Sequence, residues 1–499
     1  MRLNTFIAAL LMLAASAPPA LSQQTYAQTR AVSLYGQLSD ASTCEAALPT
    51  ARQFWPSTEF QQQLSSEDQS NFLAAVVGCA MSLQDAEAAI AAATAAHDLN
   101  ATWADKVRLI LGMSSDNDAL TVQAFFDLAQ TSPKDFAALE SFNAWGAIRA
   151  AENISGGSDI ALQMHNLLVS AHYTPNDASF DDFFRLDHAR LLLLHNQVAQ
   201  ARARLDGVVD PQAILTIRIN KIYDPLRSDS AFERHLDVES VANESIARAR
   251  RAVADHPRQL SAVVGLARAL RDVGRSREAL DVIERVLPAA RAEQAAQSFD
   301  DLEEQLQWLL NEKADLLYDL GRNDEARSIY LESVSANGGG GSNANQAVEF
   351  AGLLNAEGRA TDALQVLQTL LPHLNSYGEL LRQSERACAA EQLHDPATQN
   401  AALAILRAHE MDNPGALAHA LLCMNDIDGA AALMIRRLAN PVERERAILA
   451  LQPFRHLETR HLPLEAVELQ RLAQVRARPD VQAALSAVGR IEQSPLYGN

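Results

Sequence analysis

Leu266-Ala-Arg-Ala-Leu-Arg-Asp-Val-Gly274-Arg-Ser-Arg-Glu-Ala279-Leu280 sets a pattern that returns twice, as Lys313-Ala-Asp-Leu-Leu-Tyr-Asp-Leu-Gly321-Arg-Asn-Asp-Glu-Ala326-Arg327 and as Phe350-Ala-Gly-Leu-Leu-Asn-Ala-Glu-Gly358-Arg-Ala-Thr-Asp-Ala363-Leu364. In each copy an apolar run at helical spacing ends on Gly-Arg. A second run then opens on polar or acidic residues. The Gly accepts the left-handed backbone that ends a helix, and acidic residues in a first turn suit the helix dipole. Each copy therefore reads as helix, tight turn, helix. One such hairpin cannot bury its own apolar face, so neighbours must stack into a curved solenoid with a concave groove.

These three copies resemble the tetratricopeptide repeat family. Ala279, Ala326 and Ala363 stand where that family keeps a small residue in its second helix, and Ala267, Ala314 and Ala351 where it keeps one in the first. Ile283, Tyr330 and Leu367 occupy the later bulky position, and His256-Pro257 resembles the Pro that closes a preceding repeat. Small residues are needed where the paired helices approach closely, and the bulky one fills the groove of the next hairpin. The spacings of the second-helix alanines, 47 (326 minus 279) and 37 (363 minus 326), exceed the family period of about 34. Insertions at Pro288 to Asp300 and in the Asn337-Gly-Gly-Gly-Gly-Ser-Asn343 loop account for the excess. The resemblance is clearest over 262–374.

Working outward, two further hairpins follow, Glu379 to Leu393 with Ala397 to His409, and Pro414 to Asn425 with Gly429 to Leu438. Upstream, Asn71 to Met81 with Asp85 to Ala96, and Phe184 to His195 with Gln197 to Leu205, share the shape. Trp103 to Leu111, Asp118 to Gln130 and Asp135 to Ala151 read as helices without a diagnostic motif. The pattern breaks around Tyr223-Asp-Pro-Leu-Arg-Ser-Asp-Ser-Ala-Phe232. The expected organisation is a signal peptide (1–22), a divergent helical-repeat region (23–225), the clear repeats (226–378) and C-terminal repeats with a cap after Pro453 (379–499). The fold class is all-α, an α-solenoid of antiparallel helix pairs.

Composition agrees with helices. Of 499 residues 48% are hydrophobic but only 5% aromatic, with Ala and Leu supplying the apolar mass, which favours helix over strand. The formal charge is -20, and only Lys106, Lys134, Lys221 and Lys313 among the 42 bases are Lys. Such a field repels phosphate backbones and anionic membranes, so nucleic acid is not the expected partner.

Arg2, the apolar run Phe6 to Ala17, Pro18-Pro19 and Ala20-Leu21-Ser22 form the pattern of a secretory signal peptide, with cleavage expected after Ser22. About twelve apolar residues fall short of the roughly 20 that span a bilayer. The expected product is periplasmic or secreted, without an integral membrane segment. Export makes the four cysteines informative. Cys44 and Cys79, and Cys388 and Cys423, are each 35 apart (79 minus 44; 423 minus 388). Of three possible connectivities this local pairing is the one a repeat of about 34 residues would produce, since equivalent positions of adjacent repeats lie side by side. Each bridge would contribute roughly 3 to 4 kcal/mol; the alternative is four buried small hydrophobes.

Linear signatures of chemistry are missing. Gly338 to Gly341 lacks the Lys of a phosphate loop and a preceding strand. Asp426-Ile-Asp428-Gly429 would put Met424 and Ile435 at required ligand positions of a calcium loop, so helix capping is the better reading. His165 with His172 and His188 with His195 stand two helical turns apart, too far to share an ion, and read as surface or groove residues. The neighbours Asp181-Asp182 and Glu303-Glu304 point about 100° apart on a helix. For zinc there is no CxxC, and His419, four residues before Cys423, leaves one pair where a site needs more. No catalytic residue, cofactor or metal is expected.

What remains is the groove. The resemblance implies that inner-face residues of the first helices contact a protein or peptide ligand, which places Arg268, Arg271, Asn311, Asp315, Tyr318, Asp319, Asn345 and Asn355 there. Amides can hydrogen-bond an extended backbone and a phenol offers contact area at low entropic cost; ordinary solvated helix surface is the alternative. The family's basic clamp for a terminal carboxylate is not evident, since only Arg268 and Arg271 are cationic. The expected function is a non-enzymatic exported scaffold or adaptor, with an envelope enzyme assembled from dispersed His and carboxylates, or an accessory subunit of a larger complex, as alternatives.

Overall fold

The computed structural model describes residues 26–175, 179–292, 294–335, 344–368 and 376–498. The signal segment and the Gly338–Gly341 loop lie outside these residues. Among the described residues every named element is a helix, and β structure is limited to two isolated bridges. The chain divides into two compact units at residues 176 and 177.

The first unit holds α1 (Tyr26–Leu38), α2 (Cys44–Phe54), α3 (Thr58–Gln63), α4 (Ser66–Ser82), α5 (Ala86–Asp98), α6 (Ala104–Ser114), α7 (Asp118–Thr131), α8 (Pro133–Ala137), α9 (Ser141–Asn153) and α10 (Gly157–Ser170). Phe54, Phe60 and Phe72 meet edge to face with centroids 5.3–5.6 Å apart. On α5, Ala88, Ala89, Ala92, Ala93 and Ala96 are fully buried, so the abundant Ala lets helix axes approach closely. The single helix expected over 135–151 is two, α8 and α9. Glu140 adopts an extended backbone between them and precedes Ser141 as the cap residue of α9.

The second unit starts with α11 (Ser179–Leu194), α12 (Val198–Arg204) and α13 (Pro211–Ile219), a 3₁₀ turn (Lys221–Tyr223), α14 (Asp224–Arg227), α15 (Ser230–His235) and α16 (Val238–Asp255). The break around Tyr223 to Phe232 is thus a real irregularity, inside this unit. The repeat core follows: α17 (Leu260–Arg271) with α18 (Ser276–Ala290), the short α19 (Ala295–Ser298), α20 (Leu302–Asp319) with α21 (Asn323–Ser335), and α22 (Ala344–Ala356) with α23 (Ala360–Gln368). Then come α24 (Ser376–Gln392) with α25 (Pro396–Ala408), α26 (Pro414–Cys423) with α27 (Ile427–Ala439), α28 (Arg444–Ala450), α29 (Pro463–Ala477) and α30 (Pro479–Val488). All six alanines singled out by the repeat, Ala267, Ala279, Ala314, Ala326, Ala351 and Ala363, are fully buried. Ile283, Tyr330 and Leu367 are buried beside them, and Tyr330 stacks on Phe350 of the next hairpin at 5.2 Å.

Both disulfides join the residues that the 35-residue spacing pairs, Cys44 with Cys79 and Cys388 with Cys423. The second links α24 to α26, the first helices of consecutive hairpins.

One turn recurs from hairpin to hairpin. Gly274, Gly321 and Gly358 have positive φ, and the N–H of the following Arg bonds back to the carbonyl five residues earlier at 2.8–2.9 Å. His394 and Asn425 hold the same backbone, as Gln84 and Asp116 do in the first unit, with the same return bond from the next residue at 2.9 Å. A side chain in this conformation costs about 1–2 kcal/mol, which stacking and the closing bond offset, so the turn outlives its glycine signature. Two glycines are further constrained: a Cβ on Gly274 would meet the Tyr497 ring at 2.6 Å, and one on Gly321 the Thr459 carbonyl oxygen at 2.8 Å. Gly358 has open space. Gly358→Ala should therefore lose only the backbone cost of about 1–2 kcal/mol, and Gly321→Ala about 1–3 kcal/mol more through overpacking. Parallel urea titrations check this; equal losses would contradict the placement of Thr459.

The C-terminal stretch does more than the expected cap. α30 packs on α27, but the chain then returns to the start of the unit. Arg490 donates its N–H to the Ile219 carbonyl at 2.9 Å, and its guanidinium pairs with Asp224 at 2.7 Å. Arg218 pairs with Glu492 at 2.6 Å. α13 also packs on α28. The second unit closes on itself.

Candidate functional site

The inner-face polar residues do not lie free in an open groove. Arg271, Asn311, Tyr318, Asp319 and Asn355 are buried, with Tyr318 fully so; Asp315 is half-buried, and only Arg268 and Asn345 are exposed. Tyr318 and Asn311, expected on a ligand-facing surface, are buried within the repeat array instead. Tyr318 packs among the core of the repeats near Tyr330, with centroids 6.2 Å apart. Its burial raises the phenol pKa.

The polar residues instead tie one hairpin to the next. From α17, Arg271 reaches α20, donating from Nε to Asp319 at 2.9 Å and from Nη1 to Asp315 at 3.0 Å, with Glu312 at 4.0 Å. Burial alone would lower the Arg271 pKa, yet Asp315, Asp319 and Glu312 hold it well above its ordinary value. From α22, the Asn355 amide donates to the Glu385 carboxylate and backbone carbonyl of α24, both at 2.9 Å. Ser384 donates to the Ala416 carbonyl of α26 at 2.7 Å, and Glu385 faces His419 of α26 at 3.2 Å. Glu312 and Glu385 have no mark in the sequence, and His419 stands out there only for its spacing from Cys423. They carry no repeat signature, and their partners lie roughly 30 to 45 residues away.

Across the turns at the ends of α17 and α20 runs the chain's own C-terminal segment. The Thr459 hydroxyl donates to the Asp319 carbonyl, and the Asn323 amide donates to the His461 carbonyl at 3.3 Å. Arg460 pairs with Asp319 at 3.0 Å and with Glu465 at 2.9 Å. Leu462 is buried in the repeat core, and the Tyr497 N–H donates to the Asp272 carbonyl at 2.8 Å. Repeat ends here hold residues 459–462 through the Thr459 hydroxyl, the His461 carbonyl, the buried Leu462 side chain and the Asp319 carboxylate, which receives both Arg460 and Arg271.

The closure carries a titratable joint. Glu445 accepts from the Tyr223 hydroxyl at 3.2 Å and from the Asn220 amide at 3.4 Å. Its pKa is pushed up to about 7, mainly by burial; Arg190 opposes the rise and Asp187 adds to it. The folded state keeps this proton where the unfolded chain, near 4.5, has lost it. Stability from this group is therefore full below about pH 4.5 and is lost as pH rises through about 7. Glu445→Gln should reduce the fall in melting temperature between pH 5 and pH 8, and an unchanged profile would contradict the buried placement.

The remaining motifs behave structurally. Asp426 accepts from the Gly429 N–H at 2.8 Å as a helix cap, and Asp182 accepts from the Val209 and Asp210 N–H groups. His165 and His188 are buried rather than on the surface. In the first unit His97 Nδ1 lies 2.6 Å from Asp105, which also takes Arg108 at 3.0 Å and Thr131 at 2.7 Å. The arginine already supplies the positive charge that an ion would bring there. Among the described residues no helix is long and apolar enough to cross a membrane.

No family model and no curated protein matches the chain. Solved structures similar to it include the APC/C hetero-tetramer Cut9–Hcn1, 13% identical over 97% of this chain and 98% of that one with a TM-score of 0.28. Another is Naa15/Naa10 bound to HypK-THB, 13% identical over 92% of this chain and 79% of that one with a TM-score of 0.19. At these scores neither neighbour bears on function. By its buried small positions, its recurring turn and its stacked helix pairs, the chain is all-α and resembles the tetratricopeptide repeat superfamily.

Proposed function

We propose that this chain is an exported, non-enzymatic scaffold that binds another protein or a peptide in the cell envelope. The observation that supports the reading is the grip on 459–462: the Asp319 carbonyl and carboxylate and the Asn323 amide hold a non-helical segment through the Thr459 hydroxyl, the Arg460 guanidinium and the His461 carbonyl. A main-chain contact such as that to the His461 carbonyl makes little demand on sequence, and the side-chain contacts beside it give selectivity. Arg268 and Asn345 are the inner-face residues left open to a partner.

Photo-crosslinking amino acids at Arg268 and Asn345, with the exposed Leu331 of α21 as the control, test this in the native envelope. A discrete adduct at the first two positions and none at Leu331 is expected. Adducts only at Leu331, or turnover of a hydrolase panel by the purified protein, would overturn the reading; turnover would favour the envelope-enzyme alternative. Non-reducing peptide mapping of protein taken from the envelope should return both cysteine pairs linked. Free thiols throughout would contradict export.

A further inference from the structure

The two disulfides close loops of equal length but stand in different surroundings. Cys44 and Cys79 lie in the apolar core of the first unit, with the Ser82 hydroxyl 3.6 Å from the Cys44 sulfur. At Cys388 and Cys423, His419 Nε2 stands 3.4 Å from one sulfur and 3.7 Å from the other. The Glu468 carboxylate is 3.2 Å from the Cys423 sulfur and 3.1 Å from His419 Nδ1, and Glu385 is 3.2 Å from Nε2. Donor atoms of Cys388, His419, Cys423 and Glu468 all lie within 4.8 Å of one another. They come from three helices, α24, α26 and α29, and His419 and Cys423 share a face at i and i+4.

We propose that this disulfide gates a zinc site: oxidised, the sulfurs bond each other; reduced, Cys388, Cys423, His419 and Glu468 bind one zinc ion. Two thiolates, an imidazole and a carboxylate make a four-coordinate donor set suited to zinc. Two sulfurs on one tetrahedral zinc stand about 3.8 Å apart, from a Zn–S distance of about 2.3 Å. That is close to the contact distance reduced sulfurs must adopt anyway. The frame does not depend on the S–S bond. Ser384 ties α24 to α26 at 2.7 Å, and Arg471 of α29 donates to the Leu422 and Cys423 carbonyls at 2.7 and 2.6 Å.

The chemistry balances with a protein dithiol as reductant. Its thiolate attacks the half-buried Cys423 sulfur and releases Cys388, which is 2% exposed, as a thiol. The reductant's second thiol resolves the mixed disulfide and releases Cys423. The reductant leaves as a disulfide, having given up two electrons and two protons. Zinc then displaces the two thiol protons, with any proton on the ligating imidazole nitrogen going to solvent. This inference stands apart from the scaffold reading, since neither requires the other.

The test uses the full chain, reduced with a phosphine, desalted without oxygen, and titrated with zinc against a chromophoric chelator and separately with cobalt(II). Reduced protein should take one zinc tightly and give a cobalt spectrum with sulfur charge-transfer and tetrahedral bands, while oxidised protein takes none. His419→Ala and the milder Glu468→Gln should each weaken zinc by about 10-fold or more, and Cys44→Ala with Cys79→Ala should leave it unchanged. No zinc uptake by reduced protein, or wild-type affinity in both the His419 and Glu468 variants, would overturn the proposal.

Discussion

Arg271→Ala should cost about 3–5 kcal/mol, the penalty for removing one partner of a buried ion pair. The guanidinium is 8% exposed and spans two carboxylates of the next hairpin, Asp315 and Asp319. Ser276 and Arg460 also donate to Asp319, at 2.9 and 3.0 Å, so the variant does not strip that carboxylate bare. Asp315 retains the Tyr330 hydroxyl, but Glu312, 3% exposed, is left with Arg268 alone among the cations around it. Arg271→Lys should fall between wild type and Ala, because an ammonium cannot reproduce the planar fork across two acids. Chemical denaturation of the three proteins measures the order. A loss below about 1 kcal/mol, the ordinary value of a surface pair, would place Arg271 on an open face, as the sequence reading had it.

Leu462→Ala should cost about 2–5 kcal/mol, as for a leucine truncated in a packed core. Leu462 lies outside any helix, one residue before α29, yet it is only 4% exposed and belongs to the same cluster as Leu317, Tyr318 and Leu354. On a free tail the same substitution would fall within about 0.5 kcal/mol. Thermal melts of Leu462→Ala beside Ile491→Ala, a residue 37% exposed in the same segment, separate the two cases.

The hairpins were legible because helix period, small residues at close approach and acidic first turns are local signals. Pro414 to Asn425 and Gly429 to Leu438, read from sequence, correspond to α26 and α27 within two residues. The cysteine pairing was legible from the 35-residue spacing, which matches one step of the array at Cys388 and Cys423; Cys44 opens α2 and Cys79 lies near the end of α4, so that bridge does not join equivalent positions. The turn was legible only where glycine marks it; His394 and Asn425 make the same turn and leave no motif. The closure was not legible. Arg218 with Glu492 and Ile219 with Arg490 join residues more than 270 apart, and 453–462 has no period to follow. The burial of Tyr318 and Asn311 was not legible for a related reason. Periodicity tells which side of a helix Tyr318 or Asn311 occupies, but whether the next hairpin covers that side depends on stacking distance. The zinc donors were half visible: His419 and Cys423 share a helix, whereas Cys388 and Glu468 arrive only through stacking.

The second unit closes on itself, and residues 459–462 and Tyr497 cross the repeat turns as an integral part of the fold. Hydrogen exchange by mass spectrometry over 453–498 tests it most directly. The Arg490 and Tyr497 amides, bonded to the Ile219 and Asp272 carbonyls, should exchange as slowly as those of α20. Complete exchange of this stretch within seconds, with α20 still protected, would show a free tail and no closure.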